Sequence, residues 1–193
     1  QKRLARELLK FEEEHGALYS EPCLMCLENI RVHASVALVE LLFCCGGFIC
    51  NTCMRDIKVS ELGFNKCPLC RESLDETTAA ENVSRLMILA GRGVVWAQAE
   101  VGNCMIDGIR GFEKKRKSGL EWLNKAAAQN YPPALYLLSE LYRNGSINLL
   151  RKSQEKANEL LLKSANLGYA RANSQLANMY YLGTDGFEED LHQ

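Results

Sequence analysis

Long apolar runs are missing from this 193-residue chain. The longest, Val36 to Cys45, is interrupted by Glu40 and falls well short of the roughly 20 residues that span a bilayer, which predicts a soluble protein. Charge of one sign is missing as well. The net charge is −1, and the stretches 1–22, 23–71 and 72–193 carry −1, +1 and −1. Without a basic face, generic nucleic-acid binding is not expected. The single cationic run, Lys114-Lys115-Arg116-Lys117, reads as a solvated loop. No stretch resembles a secretory signal peptide. Cysteine is nearly absent from most of the chain: of nine, only Cys104 lies outside the segment Cys23–Cys70.

That segment concentrates the chemistry. It contains Cys23-Leu24-Met25-Cys26, the adjacent pair Cys44-Cys45, then Cys50-Asn51-Thr52-Cys53 and Cys67-Pro68-Leu69-Cys70. A Cys-x-x-Cys knuckle lets two thiolates reach one zinc from a single tight turn, and zinc takes four ligands tetrahedrally, so eight sulfurs make two closed Cys₄ sites. A disulfide framework is the alternative. It requires an oxidising compartment, and the two cysteines of one knuckle seldom pair in a structural disulfide. The spacing therefore favours two zinc ions in a reducing compartment, cytoplasmic or nuclear.

Outside this segment the chain reads as helical. Leu4, Leu8 and Phe11, with Leu9 beside them, predict an amphipathic helix over residues 1–16, ended at His15-Gly16. Thr78-Ala79-Ala80-Glu81 is a capping box opening a helix to about Ala90. From there the pattern repeats. Ala97, Ala134 and Ala172 fall into register together with Val101, Leu138 and Leu176 and with Gly108, Gly145 and Gly183, at spacings of 37 and 38 residues. Leu89-Ala90, Ala126-Ala127 and Ser164-Ala165 align upstream, as do Gly93, Asn130 and Gly168. The unit is a helix pair with Gly or Asn as a left-handed cap. Pro132-Pro133 opens one helix, and Ser118-x-x-Glu121 is expected to cap another. Cys104 aligns with Leu141 and Met179 and reads as a buried hydrophobe. Such pairs stack into a solenoid that binds other proteins. Because Gly183 to Glu188 echoes Gly108 to Glu113, the sequence is expected to break off just after the first helix of a repeat, as part of a longer array.

The cysteine segment, with its Cys67-Pro68-Leu69-Cys70-Arg71 ending, resembles a RING finger, the cross-braced module of ubiquitin ligases. The resemblance covers residues 23–71. It implies that Cys23, Cys26, Cys50 and Cys53 hold one zinc ion and Cys44, Cys45, Cys67 and Cys70 the other. The family usually places a histidine two residues after its third cysteine, where this chain has Gly47. Cys44 stands in its place as an all-cysteine variant, with His33 as the other candidate donor. The resemblance further implies that Met25, Ile57 and Pro68 form a shallow apolar groove for a ubiquitin-conjugating enzyme. Arg71 would be the linchpin that hydrogen-bonds both that enzyme and ubiquitin, since its guanidinium fork bridges two acceptors. Such a ligase has no nucleophile and acts by positioning. Ile57 is smaller than the aromatic residue many active members carry, which keeps a non-catalytic scaffold as the alternative.

The helical part, about residues 82–187, resembles Sel-one-like repeats, relatives of tetratricopeptide repeats; the segments Tyr142 to Gly145 and Tyr180 to Gly186 carry the likeness. A finger of this kind followed directly by such repeats is similar to proteins of diatoms and related algae. The expected architecture is thus a small zinc-stabilised cross-brace α+β module followed by an all-α solenoid of helix-pair repeats. Its regions are an N-terminal helix over 1–16, a RING-like domain over 17–72 with two zinc ions, and Sel-one-like repeats over 73–193. Ubiquitin, its conjugating enzyme and a protein substrate or adaptor are the implied partners.

Overall fold

The computed structural model describes residues 17–31, 39–59, 66–73, 78–145, 150–184 and 186. The helix expected over residues 1–16 and His33 lie outside the described residues.

Among its described residues, the cysteine segment folds as two short hairpins and a helix. Strands β1 (Glu21–Pro22) and β2 (Asn29–Ile30) pair antiparallel, with Glu21 opposite Ile30. Strands β3 (Val39–Leu41) and β4 (Phe48–Cys50) do the same, with Val39 opposite Cys50. Helix α1 (Asn51–Val59) follows β4 directly. A bridge between Cys23 and Phe48 ties the two hairpins together, and another between Lys66 and Ser73 closes the last knuckle.

Six helices follow: α2 (Ala79–Gly91), α3 (Val95–Asp107), α4 (Arg116–Ala128), α5 (Pro132–Asn144), α6 (Gln154–Asn166) and α7 (Ala170–Leu182). Each has 13 residues, about 20 Å of helix, so equivalent side chains recur at equivalent heights in the stack. Ala97, Ala134 and Ala172 are fully buried because a methyl side chain lets neighbouring backbones approach. Leu86, Leu123 and Leu161 fill the same level on the preceding helices and are also buried. Cys104 is buried like Met179, as a core residue should be. The tightest crossing is between α3 and α4. A Cβ on Gly102 would lie 2.8 Å from the Gly119 carbonyl oxygen, and one on Gly119 2.7 Å from that of Gly102. Only hydrogen fits on either side.

The turns bear out the reading of the repeats. Gly93, Asn130 and Gly168 all have positive φ. The residues after them, Val94, Tyr131 and Tyr169, are the N-caps of α3, α5 and α7 with nearly identical dihedrals, φ −62 to −75° and ψ 111 to 112°. Thr78 and Glu81 form the complete capping box, and Pro132 opens α5. Lys114 to Lys117 are exposed, although the run straddles the start of α4. One expectation fails: Ser118 does not cap α4, which starts at Arg116 with Lys115 as an N-cap whose side chain makes no capping hydrogen bond. The Lys115 N–H instead donates to the Met105 carbonyl at 2.8 Å. This tertiary contact starts the helix early and draws Gly119 into its body against Gly102.

The finger is not a separate bead. Its buried residues Cys23, Ile30, Leu42, Phe48, Ile49, Met54 and Cys67 belong to one hydrophobic cluster with Leu89, Trp96, Val101 and Leu123 of the repeats. Beside it, the segment Ala17–Ser20 crosses the turns of the solenoid. The Tyr19 N–H donates to the Leu167 carbonyl at 3.1 Å, and its ring meets Tyr131 edge-on at 5.6 Å. The last helix pair carries a smaller second cluster built on Leu161, Ala165, Ala172, Leu176 and Met179.

Candidate metal centre and its docking surface

The backbone of Cys23–Glu28 makes two bonds: Cys23 N–H to the Glu28 carbonyl at 2.9 Å and Leu27 N–H to the Cys23 carbonyl at 3.0 Å. Cys67–Glu72 repeats them, with Cys67 N–H to Glu72 at 2.8 Å and Arg71 N–H to Cys67 at 3.0 Å. The residue after each second cysteine, Leu27 or Arg71, has positive φ. The chain thereby doubles back and aims both sulfurs to one side. Leu42–Gly47 makes the same turn, with Leu42 N–H to Gly47 at 2.9 Å, Gly46 N–H to Leu42 at 2.8 Å, and Gly46 at φ +79°. This is a third knuckle in which Leu42, 2% exposed, replaces the first cysteine. Cys45 sits at the usual second position, and Cys44 supplies a thiol from within the turn. In the sequence Cys44-Cys45 stands as an adjacent pair; the signal that marks the turn is Leu42-x-x-Cys45-Gly46, a knuckle spacing with one ligand substituted.

The topology gathers the eight sulfurs into two groups. Cys23, Cys26, Cys50 and Cys53 form one and Cys44, Cys45, Cys67 and Cys70 the other, with ligand atoms within 4.8 Å of one another in each. The first and third cysteine pairs meet, as do the second and fourth. Cys26 Sγ lies 3.9 Å from Cys50 Sγ, Cys44 Sγ 3.9 Å from Cys45 Sγ, and Cys45 Sγ 3.6 Å from Cys67 Sγ. A tetrahedron with metal–sulfur bonds of about 2.3 Å has edges of about 3.8 Å, whereas disulfide sulfurs stand about 2.05 Å apart. The donor sets fit a metal ion, and all eight cysteines are free thiols.

The electrostatics point the same way. Burial pushes the Cys23 thiol up, but N–H groups of Cys50, Cys26 and Met25 outweigh it and bring the pKa down to about 6. At Cys67, burial is likewise overcome, chiefly by the N–H groups of Cys70 and Leu69, giving about 7. The neighbours move in the opposite direction. The adjacent Cys50 side chain and then burial push Cys53 up to about 12, while burial and then Cys67 push Cys45 up to about 11. Cys44 is raised further by burial and then by Cys70. A cation bound in either group would favour the thiolate form of its sulfurs.

Gly47 stands where the RING family usually has a histidine, and it lies against the first knuckle: a Cβ there would fall 2.3 Å from Leu24 Cδ1, so a side chain at 47 would require Leu24 to move.

Of the residues expected to bind a conjugating enzyme, Met25 and Ile57 come together. With Cys26, Cys53 and Asp56 they line a shallow groove of about 360 Å³ beside the first cluster. Met25 is 48% exposed. Pro68 and Arg71, from the last knuckle, are half-buried and exposed respectively and are not among the residues lining that groove. Leu27 and Leu69, both exposed, extend the apolar character of the two knuckle tips.

Sequence reading did not anticipate how the finger is held. Trp96, at the start of α3, donates its indole N–H to the Gly46 carbonyl at 2.8 Å, and Phe43 meets the Trp96 ring edge-on at 5.4 Å. A tryptophan opening a repeat helix was visible, but its partner lay 50 residues upstream in a turn with no helical periodicity.

Among the described residues no helix is long and apolar enough to cross a membrane. Comparison with curated proteins finds the chitin synthase regulator SKT5 of Saccharomyces cerevisiae, 30% identical over 76 residues, covering 38% of this chain and 11% of that protein. Comparison with solved structures finds the crystal structure of a Sel1 repeat protein from Oxalobacter formigenes, at a TM-score of 0.51 and 25% identity, covering 62% of this chain and 46% of the other. This chain therefore spans less than half the length of either relative. Neither comes from an alga, so the algal resemblance gains no support. The Sel1 repeat matches three successive stretches, 97–131, 132–169 and 170–193, each beginning at or just inside one of the helices α3, α5 and α7. With half of its length so matched and its helix pairs stacked at that period, the chain belongs to the Sel1 repeat family.

Proposed function

We propose that the protein is a zinc-stabilised ubiquitin ligase or ligase subunit, whose finger recruits a charged conjugating enzyme and whose Sel1 repeats, a protein-interaction scaffold, present the substrate or an adaptor. The observation that carries this reading is the groove in which Met25 and Ile57, from separate segments, converge beside the first thiol cluster. Cys23, Cys26, Cys50 and Cys53 would hold one zinc ion, and Cys44, Cys45, Cys67 and Cys70 the other. Four thiolates per ion leave no open position for water, so the zinc ions shape the surface and perform no hydrolysis. Transfer then rests on position: the apolar groove seats the enzyme's loops, and Arg71 donates hydrogen bonds that strengthen only when ubiquitin is held closed.

The test is ubiquitin discharge from a panel of conjugating enzymes. Arg71→Ala should lower the discharge rate with unchanged metal content, and Ile57→Ala should weaken binding of the conjugating enzyme itself. If the unaltered protein accelerates discharge from no enzyme in a broad panel, the ligase reading fails. Metal analysis of Cys44→Ser and His33→Ala tests the ligand set: loss of one zinc ion is expected from the first and none from the second.

A second reading, a non-catalytic adaptor, is favoured by the yeast relative, which is named as a regulator of an enzyme. Binding of the conjugating enzyme without discharge would support it.

A further inference from the structure

The turn that carries Cys44 and Cys45 is also the turn that docks on the repeats. Phe43 and Gly46 flank the two thiols directly. Phe43 stacks edge-on against Trp96 at an interplanar angle of 83°, and the Gly46 carbonyl accepts the indole N–H. A Cβ on Gly46 would lie 3.1 Å from Leu89 Cδ2 and 3.1 Å from Val94 Cγ2, so the turn sits flush on the first left-handed turn of the solenoid. Trp96 itself is 5% exposed. Its N–H therefore depends on the Gly46 carbonyl, since a buried donor that loses its acceptor bears the full desolvation cost. From the other side, Cys44 and Cys45 tie the same six-residue turn to Cys67 and Cys70 in one ligand group.

From this we infer that Trp96 is a positioning residue whose grip on the Phe43–Gly46 turn is coupled to metal occupancy of the Cys44, Cys45, Cys67 and Cys70 cluster. The inference rests on the metal reading proposed above. An ion there holds the turn in the shape that Trp96 recognises, and docking on Trp96 pre-forms the turn for the ion. Because linkage is reciprocal, each raises the affinity of the other by the same factor. The finger's orientation on the scaffold, and with it the direction in which the Met25 and Ile57 groove faces, is set by the second ion.

Two measurements on the whole chain test it. With Trp122→Phe as background, Trp96 is the only indole. Stepwise removal of metal by a chelator should shift Trp96 emission to the red, and Cys44→Ser should show that shift before chelator is added. In the second measurement, release of zinc to a chromophoric chelator is compared between the unaltered chain and Trp96→Phe, which keeps a ring but removes the N–H. One of the two ions should be released about fivefold more readily, the value expected from one hydrogen bond, while the other is unchanged and far-ultraviolet circular dichroism stays constant. Phe43→Leu, at a partly exposed site, should act in the same direction but more weakly, which keeps the test open if Trp96→Phe does not fold.

Two bound ions together with unmoved Trp96 emission overturn the coupling alone. Equal weakening of both ions also overturns it, because that reports general loosening of the finger. Fewer than two ions in the unaltered chain overturn the metal reading and this inference with it.

Discussion

Among the described residues, the finger buries seven apolar side chains, two of them cysteines, whereas the repeats bury twenty-two, dominated by leucine and alanine. The difference is one of scale. A segment of some fifty residues removes too little apolar surface from water to offset the entropy of ordering it, and this one supplies two groups of four thiols where a core would otherwise be. The repeats need no such device, because each helix pair buries its stripe against the next. A small motif of this kind depends on a few specific atoms, and a stacked array on many interchangeable ones. The two regions meet at Trp96, where one hydrophobic cluster runs from Cys23 to Leu138. The distal helix pairs are therefore expected to be indifferent to metal, and the first turn of the solenoid to respond with the finger.

The largest effect should come from chelation. Structural zinc in small fingers is worth on the order of 10 kcal/mol, so metal removal should unfold the finger, while circular dichroism retains most of the helical signal from α4 onward. Loss of the whole helical signal would mean that the two regions form a single cooperative unit.

Next is Leu161→Ala, in the smaller second cluster. Emptying this buried site should cost about 3 kcal/mol and loosen the last helix pair first, which limited proteolysis would show as early cleavage after α5 with the finger's metal content intact. Gly102→Ala should cost about 2 kcal/mol through overpacking at the α3–α4 crossing, read as a lower midpoint in urea. A neutral outcome would mean that the crossing opens more easily than the 2.8 Å approach suggests. The smallest expected effect is Thr78→Ala, which removes the side-chain half of a capping box that is already exposed. About 1 kcal/mol is anticipated, visible as a lower thermal midpoint of the repeats without change in zinc content.

Some of this was legible in the residues and some was not, and the boundary follows the range of the interactions. The capping box at Thr78, the left-handed turns at Gly93, Asn130 and Gly168, and the buried face through Ala97, Ala134 and Ala172 depend on neighbours within a few positions, so the first was legible in its four residues and the others in the 37- or 38-residue spacing. The two ligand groups followed from a cross-brace resemblance and reappear in the geometry as sulfurs brought together across 22 to 30 residues, from Cys45–Cys67 to Cys23–Cys53. The start of α4 was misjudged because Met105, one helix away, decides it through its carbonyl.

By itself, then, the order of residues determined the helical period, the turn chemistry and the number of thiols available to a metal, because spacing and backbone preference are local properties of the chain. Only the tertiary structure decided that Leu42–Gly47 makes the same turn as the first and last knuckles, that Leu24 packs against Gly47, and that Trp96 grips Gly46. Those outcomes depend on which surfaces meet when two hairpins and a solenoid turn share one buried cluster, and no spacing along the chain records that meeting.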